Sequence, residues 1–89
     1  MTIYKYQLAV TDEQKILMPV GARILCVQTQ REIPCLWALV NPKERESTIH
    51  TICIHGTGHS HRDYTLDEYI GTFQLKDGAL VFHVFEIEN

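Results

Sequence analysis

Apolar and polar side chains alternate along most of this chain with a period of two, the spacing that sends successive side chains to opposite faces of an extended strand. Residues 3–10 place Tyr4, Tyr6, Leu8 and Val10 on one parity and Ile3, Lys5 and Gln7 on the other, which predicts a first strand. Thr11, Asp12 and Glu13 carry turn chemistry, and residues 14–18 follow as a short second strand that would pair with the first as a hairpin. Pro19 lacks a backbone donor and Gly21 tolerates positive φ, so the chain breaks there. Residues 22–30, with Ile24, Leu25, Cys26 and Val27, then read as a central strand. After a polar interruption at Arg31 and Glu32, residues 33–40 set Ile33, Cys35, Trp37 and Leu39 against Leu36, Ala38 and Val40, apolar on both faces.

A charged loop at 41–46 leads into a fifth strand over 47–55, where Ile52 and Ile54 oppose Thr51, Cys53 and His55. Residues 56–63 are the longest polar stretch and must be a loop. Thr65 followed three residues later by Glu68 resembles a capping box and predicts one brief helical turn. Residues 69–76 and 79–88 are strands joined by Asp77 and Gly78, a pair suited to a two-residue type I′ turn in which both central residues take positive φ. In the last strand Ala79, Val81, His83, Phe85 and Ile87 share one face and Leu80, Phe82, Val84 and Glu86 the other, so it belongs in the interior of a sheet. The reading is all-β: about seven antiparallel strands in a small sandwich or flattened barrel with little helix, forming one domain over residues 1–89.

Composition narrows the function classes. With 89 residues there is room for one core and little room for a deep cleft. A net charge of −3 disfavours nonspecific DNA binding, which relies on a basic balance. No stretch approaches the roughly 18 apolar residues of a membrane span, and residues 1–7 lack the continuous apolar run of a signal peptide, so the expectation is a cytoplasmic protein without a membrane partner. The odd set Cys26, Cys35 and Cys53 lies within apolar runs and reads as reduced thiols. Strands that are apolar on both faces need cover on both sides, which makes a homo-oligomer a live expectation.

Candidate chemistry concentrates in one loop. Gly56, Thr57, Gly58 and His59 followed by Arg62 form an anion-binding candidate: glycines let amide groups converge, the threonine adds a hydroxyl and the arginine a forked charge. The competing reading is a plain turn using positive φ at a glycine. Trp37 would stack a base if exposed near this loop and is otherwise core. Cys53, His55, His59 and His61 supply sulfur and imidazole donors for zinc, although their spacing matches no standard zinc module, so no metal or cofactor is assigned. His59, Ser60 and Asp63 do not make a credible triad, because triad partners usually come from distant segments. Asp67 with Glu68 and Glu86 with Glu88 read as solvated carboxylates, and His83 as a structural histidine.

Three segments carry a resemblance: residues 19–28, residues 35–40, and the run 69–86 with its Tyr69-Ile70-Gly71-Thr72-Phe73-Gln74 opening. Together with Gly56-Thr57-Gly58-His59 they resemble a family of small uncharacterised proteins encoded by tailed phages, prophages and bacteria. The resemblance supplies no catalytic residues. It implies a small accessory protein of a bacterial cell that acts by binding rather than as an enzyme, with a bacterial host protein as partner and host-defence inhibition as the role. A sponge for a nucleotide or other phosphorylated signal, held by Gly56 to Arg62, and a virion component are the alternatives. The contact residues would be His55, Gly56, Thr57, Gly58, His59, Arg62 and Trp37.

Overall fold

The alternating stretches are strands in the computed structural model, which describes residues 1–87. They are β1 (Thr2–Gln7), β2 (Glu13–Pro19), β3 (Arg23–Gln30), β4 (Ile33–Val40), β5 (Ser47–Gly56), β6 (Tyr69–Leu75) and β7 (Leu80–Ile87), and a single 3-10 turn, Leu66–Glu68, precedes β6. Every pairing is antiparallel, in a three-stranded sheet ordered β1-β4-β3 and a four-stranded sheet ordered β2-β5-β7-β6. This is the expected all-β, sandwich-like architecture, with no α-helix among the described residues.

The expected hairpin between the first two strands does not form. β1 pairs with β4 and β2 with β5, so the chain crosses between sheets at residues 8–12. The cause is local: Leu8 is buried and donates its N–H to Pro34 O at 2.9 Å, which carries the chain on along β4 past the end of β1. The Gln14 side chain then bonds both the N–H and the carbonyl of Ala9, at 3.1 and 2.7 Å, and closes a corner rather than a tight turn. β3 is likewise an edge strand rather than a central one, with β4 occupying the middle. Its link to β4 is a two-residue hairpin turn at Arg31 and Glu32, whose φ values of 52° and 65° are those of a type I′ turn.

The free edge of β3 lies against β6, where Val27 is buried and Ile24 packs against the core, while Leu25 on the opposite face is exposed. A Cβ on Gly71 would stand 2.9 Å from Val27 Cγ1, so the seam closes only because position 71 has no side chain. Between the sheets, Val27, Leu36, Ala38 and Val40 face Ile52, Ile54, Phe73 and Val84 in one core, which also includes the buried Leu8 and the fully buried Met18. Burying each large aliphatic side chain contributes roughly 1.5–3 kcal/mol. The body is thin, 40 × 29 × 18 Å, and exposes 6073 Å², above the roughly 5,400 Å² that area scaling gives for a chain of this size.

The β6–β7 hairpin is present, with its turn displaced by one residue from expectation. Lys76 and Asp77, at φ 53° and 54°, are the central pair; Gly78 N–H closes onto Leu75 O at 3.2 Å, and Gly78 itself has φ 86°. The Lys76 N–H donates to Glu32 Oε1 at 2.7 Å, which ties the two hairpin tips together across the seam. The 3-10 turn is held by Thr65 N–H donating to Glu68 Oε1 at 2.7 Å, the Glu68 half of the anticipated capping box. All three cysteines are free thiols, Cys35 and Cys53 buried and Cys26 half-buried.

Candidate functional site

The outer face of the four-stranded sheet carries Cys53 and His55 from β5, His83 and Phe85 from β7, and Tyr69 and Thr72 from β6, because strand register pairs Cys53 with Phe85 and His55 with His83. β5 leaves the sheet through a turn in which His59 N–H donates to Gly56 O at 3.1 Å. Positive φ at the third residue only, Gly58 at 85°, is the signature of a type II turn. Gly56 is needed for a different reason: a Cβ there would meet the His59 ring at 3.3 Å, so the imidazole lies on the glycine.

After this turn the chain runs back across the outer face and is fixed by rings. Tyr64 stacks on Phe85 with centroids 4.1 Å apart and planes within 7°. His61 stacks on His55 at 4.6 Å and 18°. Tyr69 meets Phe85 edge-on at 5.6 Å, and the Arg62 guanidinium lies 5.3 Å from the Tyr64 ring centre. Tyr64 Oη is 2.6 Å from His55 Nε2. Burial, followed by the Cys53 thiol beneath it, pushes the Tyr64 phenol well above its usual range. Burial, followed by the neighbouring His61, holds His55 below the ordinary histidine value, with the Asp12 carboxylate acting in the opposite direction. Both groups are thus neutral near pH 7.

A second network pins the turn itself. His83 Nε2 lies 2.6 Å from Thr57 Oγ1, and its Nδ1 lies 2.9 Å from Thr72 Oγ1, which in turn is 2.6 Å from Tyr69 Oη. Thr57 N–H also donates to Val81 O at 3.1 Å. His83, expected to be a structural histidine, is one on the outer face, with both nitrogens on hydroxyls. Beside this turn is a shallow cavity of about 230 Å³ lined by Gly56, Thr57, His59, Leu80, Val81 and Phe82.

The structure therefore gathers His55, Gly56, Thr57, Gly58, His59 and Arg62 on one surface. Within the anion candidate, however, the amides of Thr57 and His59 and the Thr57 hydroxyl are already engaged inside the chain, and Arg62 is turned onto Tyr64. Trp37 is elsewhere: it is half-buried on the outer face of the three-stranded sheet, opposite Lys5 and Cys26, with the Lys5 ammonium 6.0 Å from its ring centre. The zinc candidate does not assemble, and no group of three or more ligating side chains suited to a metal occurs among the described residues. Face-to-face stacking keeps His55 and His61 from aiming nitrogens at one point, His59 rests on Gly56, and Cys53 lies under Tyr64. No hydrogen bond joins His59, Ser60 and Asp63 among the described residues.

Two features escaped sequence reading. Tyr64 and Phe85 are the anchors of the loop; the parity of Phe85 with His83 was visible, but nothing in the sequence pairs it with Tyr64. Asp67, Glu68 and Glu86, which read as separate solvated carboxylates, line one cleft with Thr65, while Glu88 lies outside the described residues. On the inner face, Glu86 also pairs with His50 Nδ1, and His50 Nε2 is buried without a partner among the described residues.

The family model for DUF7352, a domain of unknown function, matches residues 1–89, and the chain belongs to that family. No curated protein and no solved structure matches the chain.

Proposed function

Taking membership of that family as the premise, we propose that the chain is a small nonenzymatic binding protein, encoded by a phage or prophage, that engages a bacterial host protein in the cytoplasm through the His55 to Arg62 surface. The observation that carries this reading is the anchored loop: Tyr64 on Phe85 and His61 on His55 hold a polar segment flat against the sheet. His59, Ser60, His61, Arg62 and Asp63 are exposed on it. A surface whose backbone is already ordered loses little conformational entropy on binding, and arginine and aromatic groups are the side chains that most often dominate protein contacts.

The nucleotide-sponge reading has less support, because the turn's threonine hydroxyl and two of its amides are occupied by the chain itself. The test pairs a variant with a ligand panel. His59→Ala with Arg62→Ala should leave the melting temperature unchanged and abolish capture of the host protein that the unaltered chain retains. Undiminished capture would retire the loop as the contact surface, and a thermal shift with cyclic or linear nucleotides would favour the sponge.

A further inference from the structure

The same rings that fix the loop also place two imidazoles face to face. His55 projects from β5 and His61 covers it at 4.6 Å, with the Arg62 cation near the adjoining Tyr64 ring and His83 beside His55 across the strand pair. We propose that residues 60–64 are an acid-released strap: protonation of His55 beneath the His61 ring lifts the segment from the sheet and uncovers an aromatic floor of Phe85 and Tyr69 with the Cys53 thiol beside it.

The charges facing the stack come from every element packed on it. Arg62 and His61 lie on the strap, His83 on β7, and Cys53 next to His55 on β5; Tyr64 contributes a phenol that stays neutral. Asp12, from the turn before β2, is the carboxylate that acts on His55, and Glu68 acts on the Tyr64 side. When His55 is neutral, the two rings stack without repulsion and Nε2 shares a hydrogen bond with the Tyr64 hydroxyl. A charged His55 keeps the bond by donating from Nε2 to the Tyr64 oxygen, so what opposes docking is the burial of that charge under the strap and the second imidazole lying over it.

The sign follows from linkage. His55 is held below 6.5 in the docked state, so docking binds fewer protons than release. The hold on the strap is therefore complete above about pH 6.5 and is lost as pH falls below it. A pair of histidines is suited to this because few other side chains change charge in that range. The inference adds regulation to the binding reading above and rests on that reading only for its biological meaning, since the strap is observable with no partner present.

The experiment is aromatic and amide NMR on the full chain from pH 7.5 to 5. The Tyr64–Phe85 ring contact should disappear in one transition centred below pH 6.5, with the amides of residues 60–64 moving together and those of Val27 and Leu36 unchanged. His61→Phe keeps a stacking ring over His55 and removes only the second cause of its lowering, so the midpoint should move to lower pH. Persistence of the contact at pH 5 in the unaltered chain, or an unchanged or higher midpoint in His61→Phe, would each overturn the proposal. Loss of partner capture in the unaltered chain at pH 7.5 would strike only the binding reading.

Discussion

Replacing Gly71 with alanine tests the seam between the two sheets. The backbone there is not left-handed, so alanine fits the local conformation, and relief of glycine's entropy cost in a strand would by itself stabilise by roughly 0.5–1 kcal/mol. Against this, the new methyl carbon would stand 2.9 Å from Val27 Cγ1 and 3.9 Å from the Val27 nitrogen. Val27 is 5% exposed and packed into the core, so it has little room to retreat. Overpacking of this kind costs about 1–3 kcal/mol, which leaves a net loss of about 1 kcal/mol and a fall in melting temperature of about 4–8 °C for a domain of this size. The assay is thermal unfolding of Gly71→Ala, Val27→Ala and the double variant. Because the second substitution removes the atom that the first one strikes, the double variant should be more stable than the sum of the two single losses predicts, by at least ~0.5 kcal/mol. Strict additivity, or a Gly71→Ala variant that melts at or above the unaltered chain, would refute the seam as a steric limit.

The turn and the loop give further expectations. Gly78→Val places a branched side chain at φ 86°, with its Cβ 3.0 Å from Gln74 Oε1, and should lower stability by about 1–3 kcal/mol in a thermal melt; an unchanged melt would mean the turn is built otherwise. Tyr64→Ala should raise alkylation of Cys53 severalfold, mapped by peptide mass spectrometry, while Cys35 stays protected beneath β4's neighbours; equal labelling of Cys53 before and after would show that Tyr64 is not its cover.

Strand positions were legible because alternation is a local signal: the 33–40 strand matches β4 to the residue, and the face assignments in β7 hold. Pairing was less legible. The turn at Arg31 and Glu32 carries none of the Asn, Asp or Gly residues that advertise a type I′ hairpin, so the sequence does not signal β3–β4, while the turn chemistry between 3–10 and 14–18 signals a hairpin that does not form. The loop's glycines gave a turn, as Gly58 shows, but the side chains that organise the surface come from Phe85 and Tyr64, 21 positions apart, as well as from His55 and His61. Such contacts are set by strand register, and no spacing rule along the chain encodes them. The two-sided apolar character of β4 was also misleading in part. One face is core, while on the other Trp37 and Leu39 remain half-buried beside Lys5.

The bond from Lys76 to Glu32 and that from Thr57 to Val81 bring the tips of both hairpins and the Gly56–His59 turn to a single pole of the molecule. β4 runs away from that pole and β5 returns to it, so residues 41–46 mark the opposite one. An affinity handle or dye grafted at Lys43 would therefore immobilise the domain with the turn-bearing pole held outward, the orientation in which every binding measurement suggested above has its best geometry.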